Sequence, residues 1–399
     1  MDLTFMVAAL VVALGFAGLL LQALALRSTL YRPCADVIDE QPWPPVSIIK
    51  PLAGLDDNLF GNLESFCRLD YPAYEIIFCL ESPNDPAITV ARKVLTRHPG
   101  LPISVLVSRS SEGHNPKVRN MLAGYRSARH DILLVSDSNV EVDPSYLKKT
   151  VRPLLDPGVG LVTNPVRGRG GRCLGSLLEN LHLNTFVAGG TAFLFRFLKL
   201  PCVVGKSMLF RRSSLEALGG LRAFRDVLAE DYIIGREVHR AGLRVVLAPC
   251  AVTNVNIYGG TKRFLSRHSR WGKLRRRLGG PRYLAELLGN PVFVAACAAV
   301  ARPGALSLAL FGAAAAGVAL CSAWAGRLLD ARVPLPLYLL APVKDLLIGV
   351  LWFVPLVSMR VAWRGHRLRI GPDTRLVTPA AAGRRTLLRL PAFLRTRTA

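Results

Sequence analysis

The chain has 399 residues, 51% of them hydrophobic, a formal net charge of +24, an isoelectric point near 10.5 and a mean hydropathy of +0.32. Such a length suits one large domain with extra elements, or two domains, but the hydropathy is high for a water-soluble protein. The charge alone admits nucleic acid, an anionic membrane surface or anionic substrates; long apolar runs around a mixed middle favour the membrane, and the aromatic–basic interleaving of single-strand binders is missing.

Leu3 to Leu26 is an uncharged apolar run long enough to span a bilayer as a helix. Ala23-Leu24-Ala25 resembles a cleavage site, but Met1-Asp2 brings no basic region and the run is too long for a signal core, so an uncleaved anchor over residues 1–30 is expected. Arg27 and Arg32 then put the next domain on the cytoplasmic side.

From 45 to 260 short β-rich runs alternate with helical patterns. Strands are predicted at 46–51, 74–80, 103–107 and 131–137, helices over 87–97 and 118–128, and a polar, periodic segment over 58–69. Near-continuous apolar strands between helices predict an α/β domain with a mostly parallel sheet covered on both faces. Ligands of such sheets sit at the carboxyl ends of the strands, so Lys50, the segment from Glu81 to Asp85, and Asp137 should converge. Thr185 to Val204 is apolar but carries Arg196, Lys199 and Pro201, and is expected to lie at the membrane interface.

Residues 261–282 form a basic segment, centred on Lys273-Leu274-Arg275-Arg276-Arg277, suited to lipid headgroups. Three apolar stretches follow within 283–360: 287–301, 304–326 and 334–359. An arginine-rich tail over 361–399 should stay cytoplasmic, which needs an even number of spans after the middle domain, so one of the three is out of place. The eight cysteines are scattered without a Cys-x-x-Cys pair, against a zinc site or a disulfide framework.

Chemistry concentrates between Leu228 and Trp271. Ala229-Glu230-Asp231-Tyr232 sets two adjacent carboxylates at a predicted loop-to-helix junction. Asp231 reads as an N-cap, where the helix dipole favours its ionised form, and an ionised carboxylate can also serve as a general base. Arg267, Arg270 and Trp271 are spaced by three and four and share a helix face suited to a charged leaving group. Asp137-Ser138-Asn139 ends an apolar strand; it reads as a turn, or as a place where Asp137 holds Mg2+ or Mn2+ on a diphosphate. Asp85 is either a turn residue or an acceptor for a nucleotide base. Lys117 is either an exposed lysine or a cation set against phosphates.

Together, Val46-Ser47-Ile48-Ile49-Lys50-Pro51-Leu52, Leu69-Asp70-Tyr71-Pro72, Asn84-Asp85-Pro86-Ala87, Asn115-Pro116-Lys117, Asp137-Ser138, Gly205-Lys206-Ser207, Ala229-Glu230-Asp231-Tyr232 and Arg267-x-x-Arg270-Trp271 resemble the ceramide glucosyltransferase family, glycosyltransferase family 21, of bacterial type. These are membrane-bound relatives of the inverting cellulose, chitin and hyaluronan synthases. The resemblance covers roughly residues 45 to 280 plus the flanking apolar stretches. It implies a nucleotide-diphospho-sugar (GT-A-like) domain, a UDP-sugar donor and a ceramide or other lipid acceptor. The family's three-aspartate pattern falls on Asp85, Asp137 and Asp231, with Asp231 as the base. Its (Q/R)-x-x-R-W motif falls on Arg267, Arg270 and Trp271. Donor contacts are then expected from Asp85, Lys117, Asp137, Arg267, Arg270 and Trp271, with Mg2+ or Mn2+ on Asp137. Position 139 departs from the pattern: it is Asn where sugar-synthase relatives commonly have a second Asp. The expected protein is a multi-pass membrane enzyme with its catalytic domain on the cytoplasmic face, such as a bacterial inner membrane, and with no nucleic-acid partner. It would move glucose or a related hexose to ceramide. Rival readings are an N-acetylglucosamine-dependent hopanoid glycosyltransferase, a processive polysaccharide synthase and a non-catalytic lipid-binding protein.

Overall fold

The computed structural model describes residues 3–32, 42–109, 112–363 and 366–377. Ten strands run through the middle: β1 (Val46–Pro51), β2 (Tyr74–Leu80), β3 (Ile103–Val107), β4 (Ile132–Val135), β5 (Val140–Glu141), β6 (Val159–Thr163), β7 (Val166–Arg169), β8 (Met208–Arg211), β9 (Arg244–Leu247) and β10 (Val252–Val255). The helices are α1 (Leu3–Leu30), α2 (Leu59–Phe66), α3 (Ala87–Arg97), α4 (Pro116–Ser127), α5 (Tyr146–Val151), α6 (Leu174–His182), α7 (Ala188–Phe193), α8 (Arg212–Glu216), α9 (Glu230–Arg240), α10 (Thr261–Gly279), α11 (Pro291–Ala301), α12 (Ala305–Leu328) and α13 (Ala341–Leu351).

Seven strands form one sheet in the order β3-β2-β1-β4-β8-β6-β9, parallel throughout except for β8, which runs against β4 and β6. Every residue of β1 and β2 is buried, because helices cover both faces. Three of the four predicted strands and the helix over 87–97 fall where the sequence puts them. The fourth strand is shorter than expected, Ile132–Val135, and so leaves Ser136 to Asn139 as a loop beyond its end. From β1 the chain goes to β2 and β3 on one side and returns to β4 on the other. The switch point, where such sheets bind ligands, therefore lies between β1 and β4.

Lys50 ties that point together. Its side chain is fully buried, lies 3.6 Å over the Phe66 ring, and donates to the Asp137 carbonyl at 2.9 Å and to Ser136 Oγ at 3.4 Å. Burial lowers its pKa well below the ordinary lysine value, against the opposing pull of Asp137. A second sheet, β5-β10-β7, continues past the strand ends.

Among the described residues, three segments are long and apolar enough to cross a membrane: Leu3–Leu30, Ala305–Leu328 and Leu335–Val357. A fourth arises only if Thr261–Gly289 and Pro291–Ala301, bent by 70° at their junction, make one broken span. The break has a local cause: Pro291 opens α11, and the Asn290 side chain caps it by accepting from Phe293 N. The first of the three expected carboxyl-terminal stretches is thus the irregular one; the 11 residues of α11 are too short to span alone. The segment expected at the interface is helical from α6 to Leu198, with π turns at Leu183–Val187 and Leu194–Leu198. Its inner half buries Ala188 and Ala192 against Ala25 and Leu26 of α1, while Phe197, Leu198 and Leu200 are exposed.

The segment expected as a tail from 361 instead forms, up to Val377, a sheet of β11 (Arg360–Trp363), β12 (His366–Ile370) and β13 (Leu376–Val377). Residues 378–399 lie outside the described residues. Among the described residues the cysteines are all free.

Gly175 of α6 fixes how closely α10 docks: a Cβ there would lie 2.2 Å from the Gly260 carbonyl carbon, at the start of α10. Backbone cannot step aside cheaply, so Gly175→Ala should destabilise the fold by about 1–3 kcal/mol. A thermal melt in detergent checks this, and an unchanged midpoint would contradict the close docking.

Candidate active site

A cavity of about 370 Å³ opens over the ends of β1 and β4. Its floor carries Asp137 and Asn139 from the loop after β4, and Lys117 from the first turn of α4. Asn115 builds that turn: its Oδ1 accepts from Lys117 N at 2.9 Å and Val118 N at 3.1 Å, with Pro116 at the first helical position. Lys206 enters from the loop before β8, and Glu230 and Asp231 from the start of α9. Arg263, Arg267, Arg270 and Trp271 face in from α10. Of the expected site residues, Lys117, Asp137, Asp231, Arg267, Arg270 and Trp271 are brought together.

The floor is a closed ionic network. Lys117 Nζ meets Asp137 Oδ1 at 2.9 Å, Glu230 Oε1 at 3.0 Å and the Gly205 carbonyl at 3.2 Å. Those contacts take all three of its N–H groups. Lys206 Nζ meets Asp137 Oδ2 at 2.9 Å and Asn139 Oδ1 at 2.8 Å. Burial would raise the Asp137 pKa, but Lys117 and Lys206 outweigh it and hold the carboxyl far below its usual range. Lys117 is displaced upward: burial opposes its charge, but Asp137 and Glu230 overcome it.

Asp231 lies within the first turn of α9 rather than at its N-cap, since the helix begins at Glu230. Its Oδ2 accepts from Gly205 N at 2.7 Å and its Oδ1 from Tyr232 N at 2.8 Å. Burial and the adjacent Glu230 push its pKa up to about 6, against Lys117 and the two backbone N–H groups. The result is a carboxylate poised near neutrality.

Glu179 of α6 braces the arginine face, accepting from Arg267 Nη1 at 2.9 Å and meeting His268 Nε2 at 2.9 Å. Burial would raise its pKa; Arg267 and His268 hold it at about 2. The Trp271 ring stands edge-on to His268 at 5.3 Å. Burial and Arg267 lower the Arg270 pKa to about 10, so an anion arriving in the cavity would be welcomed there.

Asp85 sits apart from this cluster. Its Oδ1 and Oδ2 accept from Gly54 N at 2.9 and 3.1 Å, and Oδ1 also accepts from Ala87 N at 2.9 Å, pinning the loop after β1 to the start of α3. Glu81, beside it, pairs with Arg119 at 3.0 Å. Sequence reasoning missed the roles of Lys206 and Glu179. Gly205-Lys206-Ser207 was visible as a motif, but its partners lie far off in the chain.

A divalent cation at Asp137 finds no suitable donor set. With a diphosphate supplying further oxygens, such an ion still needs at least one free carboxylate from the protein. Here both Asp137 oxygens face ammonium groups, and the second motif side chain is an amide already bonded to Lys206.

The carboxyl-terminal sheet clasps the loop that leads into Asp231. Leu228 N donates to the Thr374 carbonyl at 3.0 Å, Ala229 N to Thr374 Oγ1 at 3.2 Å, and Leu376 N to the Asp226 carbonyl at 2.7 Å. Lys273 and Arg277 of α10 reach the Arg360 and Ile370 carbonyls at 2.7 and 3.0 Å. Thr374→Val would strip the buried Ala229 N–H of its acceptor, at a cost of about 1–3 kcal/mol. The variant should melt earlier and turn over more slowly; wild-type values in both would contradict the clasp.

The family model described as glycosyl transferase family 21 matches residues 5–376. Ceramide glucosyltransferase 3 of Caenorhabditis elegans is 30% identical over 281 residues, 69% of this chain and 60% of that protein. Ceramide glucosyltransferase 1 of the same organism is 30% identical over 262 residues, 64% of this chain and 55% of that one. The matches thus span under two thirds of those relatives' lengths. Among solved structures, the mannosyltransferase PcManGT of Pyrobaculum calidifontis, in complex with GDP-Man and Mn2+, superposes with a TM-score of 0.56 at 20% identity, over 86% of this chain and 99% of that one. The fold is therefore GT-A-like, the α/β architecture of nucleotide-sugar glycosyltransferases, and the chain belongs to glycosyltransferase family 21.

Proposed function

We propose that this protein transfers a hexose, glucose in our reading, from a UDP-sugar to the primary hydroxyl of ceramide, with inversion at the anomeric carbon. The observation that carries it is the Asp231 carboxylate, half-buried, poised near pH 6 and lining the same cavity as the arginine face of α10. The ceramide glucosyltransferases among its relatives support the donor and acceptor classes.

Asp231 accepts the hydroxyl proton as that oxygen bonds to the anomeric carbon. The bond from that carbon to the diphosphate breaks, and UDP leaves with the electron pair. Negative charge develops on the leaving oxygen, where Arg267 and Arg270 stabilise it. Glu179 keeps Arg267 in place. Trp271 packs against the sugar or the acceptor. Lys117 acts by holding Asp137 and Glu230. Asp85 contributes at the uridine end through the Gly54 loop it anchors. Both Asp137 oxygens are paired with lysine ammonium groups, so no step of this reading runs through a divalent cation there.

In this reading residues 45–260 are the catalytic domain on the cytoplasmic face, in a bacterial inner membrane, with 1–30 as anchor and 261–282 against the headgroups. The two regular apolar segments after the domain, Ala305–Leu328 and Leu335–Val357, are the even number that keeps the basic end cytoplasmic.

The test is product mass spectrometry. Full-length protein in membranes is given UDP-glucose, UDP-galactose or UDP-N-acetylglucosamine with ceramide, diacylglycerol or a hopanoid polyol. One hexose on ceramide is the expected product. Asp231→Asn should cut transfer by roughly 10²- to 10⁴-fold while UDP affinity holds. N-acetylhexosamine on the hopanoid alone, a polymer, or full activity of Asp231→Asn would contradict the proposal.

A further inference from the structure

Two side chains of the loop after β4, Asp137 and Asn139, stand where a pair of aspartates would share a divalent cation. A single group already bridges them: the Lys206 ammonium, 2.9 Å from Asp137 Oδ2 and 2.8 Å from Asn139 Oδ1. We propose that Lys206 is the diphosphate-binding cation of this site, an ammonium built into the chain in place of a divalent ion, and that it takes the diphosphate of a nucleoside-diphosphate donor directly. The inference rests on the donor reading above and names the group that meets the phosphates.

Counting donors separates the two lysines. Lys117 spends its three N–H groups on Asp137, Glu230 and the Gly205 carbonyl, so it is a strut between the acids. Lys206 spends two, on Asp137 and Asn139, and lines the cavity with its third N–H available. Lysine is a well-suited phosphate ligand as a compact point charge. Residue 139 also fits this role. A neutral amide oxygen accepts from the ammonium without setting a second negative charge beside it; a second carboxylate would weaken its pull on a phosphate and invite a metal instead. Asp137 thus anchors a cation, as the motif requires, but the cation is covalently part of the protein. The charge Lys206 offers is completed by Arg263, Arg267 and Arg270, which line the same cavity.

The test is UDP binding to purified full-length protein by calorimetry, after chelator treatment and again with Mn2+ added. The wild type should bind UDP equally, within about twofold, in both conditions. Lys206→Met should lose roughly ten- to a hundredfold in UDP affinity without metal, the scale of a charged hydrogen bond. Lys206→Arg, which keeps the charge, should retain most of it. Asn139→Asp should gain Mn2+ binding that the wild type lacks, read by the Mn2+ electron paramagnetic resonance signal, which needs no turnover. Metal-dependent UDP binding by the wild type would overturn the inference and leave the donor reading intact, as would wild-type affinity in Lys206→Met. Failure of the wild type to bind UDP in either condition would overturn both.

Discussion

The Lys117 ammonium is the interaction on which the site depends. One nitrogen holds the loop after β4 through Asp137, the start of α9 through Glu230, and the loop before β8 through the Gly205 carbonyl. The Gly205 and Glu230 segments lie 88 and 113 residues along the chain from Lys117. Buried charges of this kind bring little net stability against an apolar replacement, but losing one partner leaves the others stranded, so the geometry is held strictly. Asp231 inherits that order. It is fixed by Gly205 N, and so by the loop whose carbonyl Lys117 holds.

A second tier of contacts links this polar floor to the apolar helices. Helix α10 faces the cavity with its arginines and packs on α6, where Glu179 pairs with Arg267 and His268. The stretch that continues α6 packs in turn on the anchor helix α1. The carboxyl-terminal sheet closes the ring by bonding to both α10 and the loop before Asp231. In the proposed reaction, an acceptor arriving along the membrane would thus meet Asp231 and an arginine face held in one frame with the helices that bracket them.

Much of this was legible in the sequence, for physical reasons. Strands β1 to β3 are apolar runs bounded by proline or polar loops, because a parallel sheet covered on both faces leaves no alternation to confuse. Helix α4 was expected from 118 and begins two residues earlier, where Asn115 caps it and Pro116 opens it. Arg267, Arg270 and Trp271 shared a face because helical spacing dictates it. Lys206 and Glu179 escaped notice because their roles come from partners 67 to 89 positions away, which no local pattern encodes. The last strands were read as a basic tail on the strength of their arginines. Yet Val361, Leu368, Ile370 and Leu376 are buried, and the apolar residue at every second position of 368–370 was the available signal. Asp85 was grouped with the other aspartates by motif, whereas its hydrogen bonds make it a loop anchor at the rim.

The measurement that bears most directly on Asp231 as the base is the pH dependence of kcat/KM for sugar transfer to lipid. Burial and Glu230 favour the neutral acid, so the ionised fraction of Asp231 grows as pH rises through about 6. The rate should climb with a midpoint near pH 6 and level off above it. A rate that is flat from pH 5 to 8, or whose only acidic limb lies near the ordinary aspartate value around 4, would contradict Asp231 as the base.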